Sequence, residues 1–441
     1  MVQEKRRLSV LHPSTTRGPR APFFLLVSKL QVDAALIVTD QNPDSAVNII
    51  DRKGWPLAQR VGYIEPFHVM ALLARARELE AAGRSIIHME IGEPDFTTPE
   101  PVRVAGARAI EQGETFYTPA LGLPALRQAI SAHYRSRYGL AVAPERIIVT
   151  PGASGALLLA TAALVNPGDE VLLADPGYPA NRHFVRLMGG VPVGIAVGPD
   201  SNYQLRREHL QQYWGTHTKA ALVATPSNPT GTLIEPDELR AMAKFAAARG
   251  GALIVDEIYH GLVYEGAAQT ALALRDDVFV INSFSKYFNM TGWRLGWLVA
   301  PGCYFDAIDR IAQNVFLAAS TPAQYAALAA FEPETLAVLD ARRDEFRARR
   351  DFLLPALRSL GFGVPQNPQG AFYIYANSKA LAPDSFVFAN ELLEQAGVAI
   401  TPGIDFGAHA AGEHVRFAYT RPTEVLREGI SRIGRFLGGQ R

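Results

Sequence analysis

Five strand-length runs, each apolar at consecutive positions, leave this chain few folds to choose from: Arg146–Thr150, Val171–Ala174, Ala220–Ala224, Ala252–Val255 and Val278–Ile281. Successive residues of a strand point to opposite faces, so a run that is apolar throughout is covered on both sides. Helical segments separate the runs. The clearest spans Glu235–Arg249, with Pro236 near its start and Gly250 past its end, where helix termini favour those residues. Strands alternating with helices predict an α/β fold with a mainly parallel sheet.

Beyond about Ala300 the texture changes. A long charged helix over roughly 335–360 leads into Phe372–Tyr375, a further helix, the strand Val415–Ala418 and a last helix. That order predicts a second, smaller α+β domain, and 441 residues are enough for two domains. A helical segment at about 63–82 is expected to join the small domain and make it discontinuous. The expected division is 59–95 and 331–441 for the small domain and 96–330 for the large one.

Residues 1–58 fit neither pattern. The first 20 are basic and carry Pro, Ser and Thr, and the apolar run Phe23–Val27 follows. Lys29, Gln31 and Asp33 interrupt that run, no small-residue cleavage site follows closely, and the stretch is too short to span a bilayer. The expectation is a poorly ordered extension, or a translation start placed too early. Over the whole chain 43 basic and 43 acidic residues cancel, which leaves no electrostatic footprint for nucleic acid or a membrane surface. The lone Cys303 forms no internal disulfide and fits a reducing, cytoplasmic setting. Metal-binding motifs, a Walker loop and a Gly-x-Gly-x-x-Gly turn are absent from the sequence.

Three of the apolar runs end in reactive groups. Ala220–Ala224 leads into Thr225-Pro226-Ser227-Asn228-Pro229-Thr230-Gly231, Ala252–Val255 into Asp256-Glu257-Ile258-Tyr259, and Val278–Ile281 into Asn282-Ser283-Phe284-Ser285-Lys286. In an open parallel sheet ligands sit beyond the carboxyl ends of the strands, so these groups would meet in one crevice. An amine, a carboxylate, an amide, a phenol and hydroxyls suit pyridoxal phosphate. Its aldehyde condenses with an amine, and its pyridine nitrogen stays protonated beside an anion. Of seven lysines only Lys286 lies beyond a buried strand's carboxyl end. Taken singly, the pieces have plainer readings: a loop lysine, a strand-end Asp-Glu pair, a turn at Asn-Pro-Thr-Gly.

The run Ser283-Phe284-Ser285-Lys286, continued by Asn289-Met290-Thr291-Gly292-Trp293-Arg294-Leu295-Gly296, resembles the cofactor-lysine motif of class I/II aminotransferases. The resemblance covers roughly residues 60–441 in the right order and implies a fold-type-I enzyme using pyridoxal 5′-phosphate. By that resemblance Lys286 would carry the cofactor as a Schiff base and shuttle a proton between substrate Cα and cofactor C4′. Asp256 would pair with the pyridinium nitrogen. Asn228 and Tyr259 would bond the ring phenolate, and Tyr178 would stack on the ring.

The phosphate would be received by Ala153 and Ser154 at the start of a helix, by Ser283 and Ser285, and by the planar fork of Arg294. On residues alone, Gly152–Gly155 is equally a small-residue helix start, and Tyr178 equally a core tyrosine. Arg416, in an apolar strand, resembles the arginine that grips a substrate α-carboxylate, and Gly92 resembles a backbone contact beside the substrate. Tyr117 resembles a residue reaching a neighbouring subunit's phosphate, which implies a homodimer with shared active sites.

The function implied is transfer of an amino group from an L-amino acid to a 2-oxo acid, 2-oxoglutarate or pyruvate, by a ping-pong route. Carbon–sulfur lyase or decarboxylase chemistry on the same fold is the alternative. An amino-acid-sensing regulator is a remoter one, since residues 1–58 show no clear helix-turn-helix.

Overall fold

The structure, a computed structural model, describes residues 55–439 except residue 267, together with Ile37–Val38 and Ile49–Ile50. The chain divides into two compact units, residues 1–62 and 63–441. In the first, Ile37–Val38 pairs antiparallel with Ile49–Ile50. The remainder of 1–54, on which most of the expected extension falls, lies outside the described residues.

The second unit is built on a seven-stranded sheet: β1 (Ile147–Thr150), β2 (Glu170–Asp175), β3 (Val191–Ala196), β4 (Thr218–Ala224), β5 (Ala252–Asp256), β6 (Phe279–Ser283) and β7 (Gly296–Val299). The spatial order is β1-β7-β6-β5-β4-β2-β3. All five expected strands are present, and the neighbours among β2 to β6 pair in parallel. The sequence reading missed β3 at one edge and β7, which runs antiparallel between β1 and β6. It also ended β6 early, since Asn282 and Ser283 belong to the strand.

Burial on both faces holds residue by residue. Ile147, Val149, Val223, Leu253 and Val255 join one apolar cluster, while Ile148, Leu222, Ala252 and Ile254 join another. Each such branched side chain contributes about 1.5–3 kcal/mol on burial, which is why a polar residue inside one of these runs would be costly.

The helices that position the site are α1 (His68–Ala81), α2 (Gly152–Leu164), α3 (Pro179–Leu187), α4 (Pro236–Ala248) and α5 (Pro333–Ser359). In α4, Pro236 occupies the first turn, and Gly250 beyond the end has φ +70°, which glycine tolerates without a Cβ penalty. In the segment expected to be helical at 63–82 the α-helix begins only at His68, and Tyr63 is the last residue of a 3₁₀ helix, Gln59–Tyr63. A second sheet comprises β8 (Tyr373–Asn377), β9 (Thr401–Pro402) and β10 (His414–Ala418), antiparallel in the order β8-β10-β9. Residues 87–89 run beside it: Ile87–His88 pairs with Val398–Ala399, and Met89 O accepts the N–H of Ala418 at 2.7 Å.

Candidate active site

Topology brings the reactive groups to one edge. Since β4, β5 and β6 are parallel, the residues after Ala224, Asp256 and Ser283 emerge together. β1 and β7 complete the edge. Gly296, the first residue of antiparallel β7, stands in register with both Thr150 and Ser283. Arg294, two residues earlier, therefore returns to the same edge that Lys286 left.

The turn between them is rigidly held. Phe284 is wholly buried and packs against Phe288, Trp297 and Phe331. Its N–H bonds Leu295 O, and the N–H of Ser285 bonds Ser283 Oγ. A cavity of about 340 Å³ opens here.

Twelve of the thirteen expected site residues border that cavity. Gly92, Ala153, Ser154, Tyr178, Asn228 and Asp256 do so, as do Tyr259, Ser283, Ser285, Lys286, Arg294 and Arg416. Tyr117 does not. It stands 82% exposed, away from the cavity.

Lys286 Nζ donates to Gly92 O at 2.6 Å. Burial lowers its pKa from 10.5 to about 8; Glu93 and Asp256 oppose that shift, while Arg416 and Arg294 reinforce it. A far larger share of the amine is thus in its neutral, nucleophilic form near physiological pH than for an ordinary lysine. Asp256 is buried and accepts the N–H of Ile258, and burial raises its pKa to about 6 despite that bond and the charge of Lys286. Its neighbour Glu257 is fully buried elsewhere: Oε1 accepts the N–H of Ala271 at 2.7 Å and the hydroxyl of Thr270 at 3.1 Å. Only Asp256 of the pair faces the cavity.

Arg416 is buried on β10, in register with Tyr375 on one side and Thr401 on the other. Its guanidinium lies over the rings of Tyr373 (4.3 Å) and Phe406 (4.9 Å). Nη1 donates to Asn228 Oδ1 at 2.9 Å, and Nη2 to Glu90 O at 2.5 Å and Thr401 Oγ1 at 3.2 Å, while the buried Nε has no partner. Because Asn228 spends its oxygen on Arg416, its amide NH₂ remains available as a donor.

The start of α2 can receive an anion. An ideal Cβ on Gly152 would come within 2.6 Å of Arg294 Nη2, and Gly152 has φ +69°. Glycine there lets the guanidinium lie against the first turn, beside amides that no helical carbonyl satisfies. The Ser283 hydroxyl, which also borders the cavity, donates to Leu295 O at 3.2 Å within the turn. Amine, buried carboxylate, free amide donor and anion cradle together fit a phosphate-bearing pyridine aldehyde.

The sequence reading missed part of the wall. Tyr373 is fully buried, and its phenol lies 2.9 Å from that of Tyr259. A Cβ on Gly92 would fall 2.0 Å from Tyr373 Oη, so glycine is required there. No signal in the sequence set Tyr373 apart, since Tyr375 and Asn377 of the same strand carry polar groups too. Phe67, Val69, Met70, Asp405 and Phe406 also border the cavity, and nothing near the motifs pointed to them.

Comparison with known proteins agrees with this geometry. The chain is 40% identical to the valine–pyruvate aminotransferase of Mycobacterium tuberculosis, over 87% of this chain and 99% of that protein. It is 37% identical to the aspartate/prephenate aminotransferase of Thermus thermophilus, over 87% and 99% respectively. A crystal structure of an aminotransferase from Mycobacterium tuberculosis superposes with a TM-score of 0.84 at 39% identity, covering 87% of this chain and 99% of that one. The family model for aminotransferase class I and II matches residues 84–433, the span that holds every residue bordering the cavity except those at the start of α1. With that match over most of its length, the chain belongs to the class I and II aminotransferases.

Proposed function

We propose that this aminotransferase uses pyridoxal 5′-phosphate, takes neutral L-amino acids as donors, and passes the amino group to 2-oxoglutarate or pyruvate in ping-pong fashion. The observation that carries the reading is the buried amine of Lys286, its pKa lowered by burial, in one cavity with Asp256 and Arg416. When bound, the cofactor supplies an electron sink for the bond broken at substrate Cα.

The chain's own residues do the rest. Lys286 holds the cofactor and then moves the proton between substrate Cα and cofactor C4′. Asp256 keeps the pyridine nitrogen protonated, and Tyr178 covers one ring face. Asn228, through its free NH₂, and Tyr259 donate to the ring oxygen. Ala153, Ser154, Ser285 and Arg294 hold the phosphate, with Ser283 fixing the turn. Arg416 binds the α-carboxylate beside Gly92, and Tyr373 and Phe406 keep its fork in place.

We also propose a homodimer, which suits the exposed Tyr117, and the division into a large domain (96–330) and a discontinuous small one (59–95 and 331–441). A cytoplasmic setting belongs to the same reading. Among the described residues no helix is long and apolar enough to cross a membrane.

The donor class follows from charge. Lys286, Arg294 and Arg416 are the only lysines or arginines bordering the cavity among the described residues, and each already has a role in this scheme. Within one chain a dicarboxylate's side chain meets no further cation there, so aspartate gains nothing over a neutral donor, and 2-oxoglutarate would be held through its α-carboxylate alone. With 2-oxoglutarate as acceptor, alanine and phenylalanine are expected to match or exceed aspartate in kcat/KM. A preference for aspartate above about a hundredfold, roughly 2.7 kcal/mol, would overturn the neutral-donor reading. Arg416→Ala should raise KM across all donors at a cost of about 2–5 kcal/mol, because the bound carboxylate loses its partner. A variant that impaired only one donor would place the carboxylate elsewhere.

The depressed pKa of Lys286 also sets a pH dependence. The neutral amine attacks the aldehyde, so reconstitution of apoenzyme should accelerate as pH rises and level off above about 8, not near the ordinary 10.5. Stopped-flow absorbance after mixing with pyridoxal phosphate measures this. A rate still climbing tenfold per pH unit at pH 9 would show an amine in ordinary surroundings.

A further inference from the structure

The start of α1 borders the cavity, and its attachment comes from the far end of the chain. Phe67 holds the N-cap position and has no side-chain oxygen to receive the first helical amides. Asp405 takes that part: Oδ1 accepts the N–H of His68 at 2.7 Å, and Oδ2 the N–H of Val69 at 2.9 Å. Asp405 is buried and borders the same cavity as Lys286 and Arg416. The next residue, Phe406, lies beneath the Arg416 guanidinium. One short turn, Gly403–Asp405, thus ends at both the helix start and the arginine proposed to bind substrate.

Further contacts fix the same segment. Arg182 of α3 reaches Glu65 Oε2 and Asp405 O, each at 3.4 Å, and Arg186 donates to Tyr63 O. The ring of His68 packs edge-on against Phe386. What this attachment presents to the cavity is apolar: Phe67, Val69 and Met70, with Leu157 and Ile258 also on the lining. Met70 is 55% exposed, a large apolar side chain at the cavity with room for further contact.

We propose that Asp405 is a positioning residue for donor selection: by holding the amides of His68 and Val69 it fixes Phe67, Val69 and Met70 as an apolar wall for the donor's side chain. The inference rests on the aminotransferase reading above. A donor side chain larger than a methyl group gains by burying area against that wall, whereas alanine gains little. A carboxylate that merely capped a helix would affect all donors alike.

The test compares holoenzyme of the wild type, Asp405→Asn and Met70→Ala. Asparagine keeps one acceptor oxygen and turns an NH₂ toward the second amide, so one of the two bonds is lost. In Asp405→Asn the ratio of KM for L-phenylalanine to KM for L-alanine should rise about tenfold, with kcat for each donor changing less than about threefold. Met70→Ala, at an exposed position where truncation costs little stability, should move the ratio in the same direction. Amide exchange at His68 and Val69 in the holoenzyme without substrate should be about tenfold faster in Asp405→Asn. An unchanged ratio, an equal rise in both KM values, or unchanged exchange would each overturn the assignment. If the wild type transaminates neither donor, the aminotransferase reading itself fails; if it transaminates both and the ratio does not move, only the role of Asp405 fails.

Discussion

Lys286→Ala should still bind pyridoxal phosphate yet lose multiple-turnover transamination by about 10⁴-fold or more, because both the covalent anchor and the proton carrier are gone. Binding should survive because the other proposed contacts, Arg294 and the start of α2 among them, do not involve that amine. The wild-type holoenzyme should show the absorbance of an imine. After borohydride reduction, mass analysis should find the cofactor on the peptide containing Lys286. Full multiple-turnover activity in the variant, or label on another lysine, would refute the assignment.

The neighbouring carboxylates should separate just as sharply. Asp256→Asn is expected to lower kcat by about 10³-fold, since a neutral amide cannot hold the pyridine nitrogen protonated in a water-poor site. Glu257→Gln should leave kcat within about threefold, since Glu257 faces a different environment. Burial raises the pKa of Glu257 to about 8, and burial lowers that of its neighbour His260 to about 3. Both groups are therefore neutral at pH 7, and glutamine reproduces the charge already present. Glu257→Ala would be a poorer control, because it leaves a void and strands the amide of Ala271. A dead Glu257→Gln beside an active Asp256→Asn would mean that the wrong carboxylate has been assigned.

What the sequence disclosed follows from how local its causes are. The five strands were legible because each is a run of consecutive apolar residues, a pattern needing no partner to be recognised. Lys286, Asp256 and Asn228 were legible because each ends such a run, and parallel strands release their ends together. β7 was not, since its four residues, the first of them a glycine, carry no period of their own, and their direction is set by pairing with Thr150 and Ser283. The expected helix at 63–82 began too early because the amides at His68 and Val69 are satisfied by Asp405, more than 300 positions away. Tyr373 looked like another core aromatic. Its significance comes from Tyr259 and Gly92, which only the folded chain brings beside it.

The antiparallel course of β7 has a consequence for how this chain can vary. The stretch from Ser283 to Gly296 leaves the sheet edge and returns to it, and both ends are pinned in one register line. Between them lie the amine at one tip and the guanidinium at the other. The stretch acts as a calliper whose opening is set by residue count, with the buried Phe284 as its pivot. Exchanging one side chain within it alters a contact. Adding or removing one residue resets the gap between the two jaws, so its length is held more tightly than its composition.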